Sequence, residues 1–160
     1  MKRIWAPWRL KYVAKADNTK NSSCLFCDKY NSTDDKENYV IYKGKYSFAL
    51  LNIYPYNNGH LMVAPKRHIA DISALDSDER VEFFDLIIKM KDIVSSILNP
   101  QGFNIGMNCG SAAGAGIADH IHMHIVPRWA GDTNFMTTVN ATRVIPQSLD
   151  EFYEILKEKM

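Results

Sequence analysis

The chain has 160 residues, of which 46% are hydrophobic and 23% charged, and its formal net charge is +1. These values predict one globular domain with a substantial core, and they exclude attraction to nucleic acid or membrane by overall charge. No apolar run reaches the ~18 residues of a membrane span, and Trp5, Pro7 and Arg9 interrupt the segment where a signal peptide needs an apolar run. Three cysteines, two of them in a Cys-x-x-Cys pair, favour a reducing compartment, so we expect a cytoplasmic protein.

The N-terminal segment, residues 1–13, carries Trp5, Trp8 and Tyr12 among basic side chains. Large aromatic residues this close to a terminus indicate a segment that is docked on something. Two interpretations stay open: the aromatic rings cover the protein's own core, or they pack on a partner subunit or line a ligand pocket. Residues 14–23 are polar and lack periodicity, which predicts a flexible connection.

Cys24 and Cys27 form the Cys-x-x-Cys pair, which has two common uses, a redox centre or half of a zinc site. A redox pair is expected at the start of a helix in a βαβ unit, whereas a polar stretch, residues 31–38, follows here. A zinc site needs two further ligands, for which His68 and His120 are available. The remaining interpretation is that both thiols are buried in the core.

Three strands are predicted before the longest helix. Residues 39–42 and 46–52 are β-rich runs around Lys43-Gly44-Lys45, and this pattern predicts a hairpin. A segment of turn-forming residues then leads to a third strand over residues 60–64.

A long helix is predicted from Asp76 to Leu98. Asp76 is a suitable N-cap, a glutamate three residues later completes a capping box, and large apolar residues recur at helical spacing. This stripe predicts packing against the sheet, at ~1.5–3 kcal/mol for each fully buried large side chain. Residues 103–108 predict another strand, and Ser148 begins a short C-terminal helix with a second capping box.

A glycine-rich loop lies between the fourth strand and a cluster of histidines. Asn108 leads into this loop, in which Gly110, Gly114, Ala115 and Gly116 are small enough for backbone N–H groups to approach an anion closely. Such a loop is a weak signal by itself, but next to imidazoles it predicts a site that holds a phosphate from both ends.

His120, His122 and His124 alternate with apolar residues. Because this alternation is the period of a β-strand, all three imidazoles are predicted on one exposed face, with Pro127 ending the strand. These three are a majority of the chain's 5 histidines, so a strand that merely faces water is a poor explanation. Two chemistries fit, a metal held by neutral imidazoles or nucleophilic attack on phosphorus by an imidazole.

The segment His120-Ile121-His122-Met123-His124-Ile125-Val126 resembles the signature of the histidine triad superfamily of nucleotide hydrolases and transferases. The resemblance extends to the Trp-Ala-Pro-Trp-Arg start and, in the phosphorylase branch of the superfamily, to residues 114–136 and 144–147. Further matching positions are Asn52, Pro55, Gly59, His60, Pro65 and His68. Only residues 14–23 and 28–38 carry nothing recognisable.

This resemblance implies an α+β fold, in which a five-stranded, mainly antiparallel sheet carries one long helix and a short C-terminal helix. We predict a single domain over residues 1–160, with an N-terminal arm at 1–23, a core at 24–136 and a C-terminal extension at 137–160. Relatives of this kind are homodimers, so a homodimer is the expected assembly.

The resemblance also implies nucleotidyl transfer on a dinucleoside polyphosphate such as diadenosine tetraphosphate. His122 would attack the α-phosphorus, and inorganic phosphate would resolve the nucleotidyl-histidine intermediate. His124 and the glycine-rich loop would hold phosphoryl oxygens, while His60 would orient a triad member from the neighbouring strand. Asn52 would contact the nucleotide sugar. Trp129, in a stretch that cannot bury much by itself, is predicted as a stacking surface for a base.

For the cysteine pair, the resemblance implies a structural zinc ion held by Cys24, Cys27, His68 and His120. A catalytic zinc held by the triad is disfavoured because both cysteines would then lack a role as ligands. Water in place of phosphate would make the enzyme a hydrolase. A purine nucleoside phosphoramidase and a nucleotide-binding sensor without turnover would also fit these residues.

Overall fold

The structure, a computed structural model, describes residues 24–133 and 145–160. Its strands are β1 (Val40–Lys43), β2 (Ser47–Leu51), β3 (Leu61–Pro65), β4 (Gly102–Met107) and β5 (Met123–Arg128). They form one 5-stranded sheet of order β1-β2-β3-β5-β4, in which all neighbours are antiparallel. Helices in these two ranges are α1 (Leu25–Asn31), α2 (Ser77–Leu98) and α3 (Leu149–Glu158). The predicted α+β fold is thus confirmed; the predictions for the N-terminal arm lie outside the described residues.

Helix α2 covers one face of the sheet and forms the main core with it. Phe83, Met90 and Val94 of α2 are fully buried against apolar residues of β2, β3 and β5. At the start of the helix, the Glu79 carboxylate accepts a hydrogen bond from the Asp76 backbone N–H at 2.9 Å, as the capping pattern predicts. The apolar stripe and the start of the helix were therefore both predictable from the sequence.

Helix α3 packs at the β1 side of the same core. Its N-cap is Ser148, whose hydroxyl oxygen accepts from the Glu151 backbone N–H at 3.2 Å. Phe152 and Leu156 are fully buried in the core. None of the helices in residues 24–133 and 145–160 is long and apolar enough to cross a membrane.

Strand β5 differs from its prediction at both ends. It begins at Met123 and continues through Pro127 to Arg128, so the expectation that proline ends the strand was wrong. The Arg128 carbonyl accepts a hydrogen bond from the Gln101 backbone N–H, so the backbone polar groups of Arg128 point toward β4. Because these groups alternate in direction along a strand, those of Pro127 point away from β4. On that side, pairing with β3 ends at Ile125, before Pro127. The Pro127 carbonyl instead accepts from the side-chain Nδ2 of Asn57 at 3.0 Å. The missing N–H of proline therefore costs no ladder bond.

A smaller apolar cluster lies on the opposite face of the sheet, beneath α1. Its members are Phe26, Val40, Phe48, Leu50, Met62 and Ala64. Met62 pairs with His124 in the β3–β5 register, and residues directly opposite each other project to the same face. The sheet face that α1 covers is therefore apolar over β1, β2 and β3 and lined by imidazoles at β5.

Candidate active site

The histidines of the triad are less exposed than the sequence predicts. His120 and His122 retain 0% and 6% of their accessible surface, and His124 is half-buried. The prediction of an exposed face was wrong for His120 and His122, because Phe26 of α1 packs on both rings. The Phe26 ring of α1 has its centroid 5.2 Å from that of His120 and 4.6 Å from that of His122.

One hydrogen bond sets the protonation of His122. Its Nδ1 lies 2.9 Å from the backbone carbonyl oxygen of His120. Because a carbonyl can only accept, Nδ1 carries the proton and the neutral ring presents its lone pair at Nε2. Burial lowers the pKa of His122, although the bond to the carbonyl opposes this effect. His122 therefore offers a neutral imidazole with a nucleophilic nitrogen.

A chain of hydrogen bonds leads from a turn to His124. The backbone N–H of Tyr56 donates to Nδ1 of His60 at 3.0 Å, so this nitrogen is an acceptor. The proton of neutral His60 then lies on Nε2, which is 2.9 Å from Nδ1 of His124. His124 accepts at Nδ1 and consequently carries its own proton on Nε2. The site thus combines a lone pair on His122 with an N–H donor on His124.

His60 stays neutral over the whole physiological pH range. Burial, and then the positive charge that His124 and His122 would carry, lower the pKa of His60 to about 3. A neutral His60 keeps the direction of the hydrogen bonds from the turn to His124 unchanged. The predicted orienting role of His60 is consistent with this geometry.

Asn52 is buried beside His60. Its carboxamide oxygen accepts from the Tyr54 N–H at 2.9 Å, and its Nδ2 lies 3.3 Å from Nδ1 of His60. The side chain predicted to contact a sugar is therefore held in place by the turn of which it is part. The sequence did not predict the hydrogen bond from Tyr56 to His60, because its donor is a backbone amide, which a pattern of side chains does not reveal.

The glycine-rich loop contains a short 3-10 turn, and Gly110 and Gly114 have φ angles of 81° and 88°. These left-handed conformations favour glycine. The amides of Gly114 and Ala115 donate to the carbonyls of Ser111 and Gly110, at 3.0 and 3.4 Å. Asn108 lies at the end of β4, and its Nδ2 is 3.4 Å from the Gly114 carbonyl oxygen. Phosphate binding by Asn108, Gly114, Ala115 and Gly116 stays a prediction.

Trp129 follows β5 in a turn that Asp132 organises. The Asp132 carboxylate accepts from Arg128 Nε at 2.5 Å and from Asn57 Nδ2 at 2.9 Å. Arg128 lowers the pKa of Asp132 to about 2, and the hydrogen bond from the Trp129 backbone N–H acts in the same direction. The indole is half-buried, and its predicted stacking role stays a prediction. Neither Asp132 nor Asn57 was predicted from the sequence.

The four residues of the predicted metal site come together. One ligand atom from each of Cys24, Cys27, His68 and His120 lies within 4.8 Å of the others. Nε2 of His120 donates to the Pro65 carbonyl at 2.8 Å, which leaves Nδ1 for a metal, 3.3 Å from Cys24 Sγ. Two thiols and two imidazoles are the donors of a tetrahedral zinc site, and four protein ligands leave no position for water. The residues present therefore fit a structural zinc ion.

The cysteine pair does open a helix, so the expectation that no helix follows was wrong. Cys24 is the N-cap of α1, and the helix continues to Asn31. A βαβ unit is absent from residues 24–51, because α1 leads into the antiparallel pair β1–β2. Burial and the neighbouring Cys24 raise the pKa of Cys27 to about 11. This environment therefore does not favour a redox thiol, which needs a low pKa. A bound cation would stabilise the thiolate form of Cys27.

Comparisons with known proteins identify the family of this chain. The model of the HIT domain family matches residues 33–131, and the chain belongs to this family. An AP-4-A phosphorylase of Mycobacterium tuberculosis is 38% identical over 161 residues, which cover 98% of this chain and 83% of that protein. The asymmetrical bis(5'-nucleosyl)-tetraphosphatase of Schizosaccharomyces pombe is 31% identical over 93 residues, 58% of this chain and 50% of that protein.

Among solved structures, a zinc-bound histidine triad family protein from Mycobacterium smegmatis is similar to this chain. It has a TM-score of 0.66 and 27% sequence identity, and the match covers 85% of this chain and 91% of that one.

The tautomers derived above can be measured by NMR. In ¹⁵N-labelled protein, two-bond ¹H–¹⁵N spectra are expected to find the proton on Nδ1 of His122 and on Nε2 of both His60 and His124. His60→Gln keeps an N–H donor near the Nε2 position and should preserve the His124 tautomer, whereas His60→Leu should not. A proton on Nδ1 of His124 in the wild-type protein would contradict the derived direction of the hydrogen bonds.

Proposed function

We propose that the protein transfers a nucleotidyl group from a dinucleoside polyphosphate of the diadenosine tetraphosphate type through an intermediate on His122. The observation that carries this proposal is the 2.9 Å hydrogen bond from His122 Nδ1 to the His120 carbonyl. This bond leaves the lone pair on Nε2, and the ring of His124, which carries the N–H donor, lies 4.9 Å from the ring of His122. The name of the 38% identical relative, an AP-4-A phosphorylase, supports the substrate class.

In the first step, Nε2 of His122 attacks the α-phosphorus. A P–N bond forms, the P–O bond to the leaving nucleoside polyphosphate breaks, and the leaving oxygen takes the electron pair. Nε2–H of His124 donates to a phosphoryl oxygen, where negative charge must be stabilised. In the second step an acceptor oxygen attacks the same phosphorus, the P–N bond breaks, and the lone pair returns to Nε2.

Inorganic phosphate is the acceptor that we propose, which gives ADP and ATP from diadenosine tetraphosphate. Water is the second candidate acceptor and would give AMP and ATP. The similarity of this chain to a tetraphosphatase supports this alternative. A purine nucleoside phosphoramidase and a nucleotide-binding sensor without turnover are further candidates. Asn108 and the loop residues Gly114, Ala115 and Gly116 would contact phosphoryl oxygens, Asn52 the sugar, and Trp129 a base.

Steady-state kinetics with diadenosine tetraphosphate test the roles of His122 and Trp129 together. His122→Ala should lose more activity than the ~10²–10⁴-fold attributed to a proton donor, because it removes the covalent step. A His122→Ala variant that keeps more than a few per cent of wild-type kcat would refute the role of His122 as the nucleophile.

Trp129→Ala should raise KM several-fold at unchanged kcat, since stacking on a base is worth ~1–3 kcal/mol. A lower Tm at unchanged KM would assign Trp129 to the core.

The acceptor is read from the products of the same reaction. With phosphate present, ADP should replace AMP as the partner product of ATP. Constant AMP at all phosphate concentrations would make the protein a hydrolase. Binding of diadenosine tetraphosphate without any product would identify a sensor.

We also propose that zinc occupies the site of Cys24, Cys27, His68 and His120 and stabilises the fold. Four protein ligands would fill the tetrahedral coordination of the ion, which assigns it a structural role. Both thiols must remain reduced to bind zinc, which fits a cytoplasmic protein.

Metal content and thermal unfolding test this site. Cys24→Ser should lose most of the bound zinc and lower Tm, because metal binding in such sites is coupled to folding. The matched control is Cys109→Ser, since Cys109 is exposed and outside the cluster. Wild-type protein purified without chelator that contains no zinc would contradict the proposal.

We propose a homodimer that forms across the β4 edge of the sheet. Among residues 24–133 and 145–160, β4 is the last strand on that side, and no other strand of these residues pairs with its outer backbone groups. Ile105 of β4 is exposed, and so are Val81, Phe84 and Ile88 on one outward side of α2. Ile105 pairs with Ile125, which belongs to the core under α2, so the exposed Ile105 side chain lies on the face of the sheet that carries α2.

Light scattering coupled to size-exclusion chromatography measures the assembly. The wild-type protein should have twice the mass of one chain, and Ile105→Glu should shift the equilibrium to monomer because it places a charge in the interface. Ile72→Glu, in the segment between β3 and α2, is the control at a similarly exposed isoleucine. A monomeric wild-type protein, or equal effects of both variants, would count against this interface.

A further inference from the structure

Phe26 lies between the two cysteines of the metal site and against the ring of the proposed nucleophile. It is 1% exposed, and its ring centroid is 4.6 Å from that of His122, with an angle of 36° between the ring planes. The same phenyl ring is 5.2 Å from His120. One residue therefore connects the cysteine segment, a predicted metal ligand and the nucleophile.

A hydrogen bond alone does not hold the His122 ring in one orientation. The bond from Nδ1 to the His120 carbonyl fixes one edge of the imidazole, but the ring could still tilt about that bond. Phe26 packs against the ring at 4.6 Å, and the His124 ring meets it at 4.9 Å with an interplanar angle of 74°. Packing on the ring, together with the hydrogen bond, sets the direction in which Nε2 points.

Phe26 is held in place from two sides. Its neighbours Cys24 and Cys27 belong to the metal cluster with His120. Its ring also packs on Phe48 in the apolar cluster under α1, at 6.4 Å between centroids. A shift of the cysteine segment would therefore move the phenyl ring that contacts His122.

We infer that Phe26 is a positioning residue for His122 and that the cysteine–histidine metal site acts on the nucleophile through it. This inference rests on the proposed function, since it concerns the orientation of the proposed nucleophile. A nucleophile must be held close to its line of attack, and a misplacement of ~1 Å can cost about 10²-fold in rate. Phe26 and the His120 carbonyl together supply that constraint.

A merely structural phenylalanine would give a different result from a positioning one. Phe26→Leu removes the ring but keeps an apolar side chain, and Phe83→Leu is the matched control, at an equally buried phenylalanine of the main core that does not contact Phe26. Both residues are almost completely buried, so both variants should lower Tm by similar amounts. Only Phe26→Leu should slow the formation of the nucleotidyl-His122 adduct in a single turnover, by at least about tenfold at unchanged substrate Kd. Phe26→Tyr keeps the ring and should restore the rate.

NMR provides a readout that does not depend on activity. The carbon-bound ring protons of His122 should show the ring-current shift of a nearby phenyl ring in wild-type protein and lose it in Phe26→Leu. Cys24→Ser should move the same signals in the direction of Phe26→Leu, because it releases the cysteine segment. This spectrum of the wild-type protein tests the contact even where a variant does not fold.

The outcomes separate the two proposals. Equal slowing by Phe26→Leu and Phe83→Leu would overturn the positioning role. So would His122 signals that do not change in either Phe26→Leu or Cys24→Ser. A wild-type protein that forms no adduct on His122 refutes the proposed function. The His122 signals of the wild type, Phe26→Leu and Cys24→Ser do not depend on that reaction and still test the contact of Phe26 with the His122 ring.

Discussion

The hydrogen bond from His122 Nδ1 to the His120 carbonyl is the contact on which the rest of the site depends. It determines which nitrogen of His122 holds the lone pair. The side chain of His120 meanwhile turns its Nδ1 toward Cys24, and Pro65 accepts from its Nε2. The backbone of one residue thus orients the proposed nucleophile, while its side chain belongs to the cysteine–histidine cluster that could hold a metal.

Burial gives these imidazoles their chemistry. Desolvation is the largest cause of the lowered pKa of His60, His120 and His122 alike. A neutral ring has one donor and one acceptor nitrogen, so a fixed set of partners defines a direction for each hydrogen bond. The Tyr56 amide at one end and the His120 carbonyl at the other supply fixed partners. As a result, the site presents an acceptor nitrogen and a donor N–H side by side.

Much of the fold was predictable because it depends on short-range patterns. The capping pattern at Asp76 and the apolar stripe after it predicted α2, and the alternation around His122 predicted a strand environment with all imidazoles on one face. The four metal-site residues were also predictable, but through resemblance to a family and not through spacing. Pro127 shows the limit of local rules, since only the place where β3 pairing ends makes a proline acceptable inside β5.

The elements, the common face of the imidazoles and the types of donor atom follow from the sequence alone, because each depends on residues a few positions apart. Three features required the folded chain: the cover of α1 over the triad, the packing of Phe26 on His122, and the Tyr56 amide that sets the tautomer of His60. Phe26 and His122 are far apart in the chain, and a backbone amide has no side-chain identity to read. Such contacts arise from the packing of distant segments, which no local periodicity encodes.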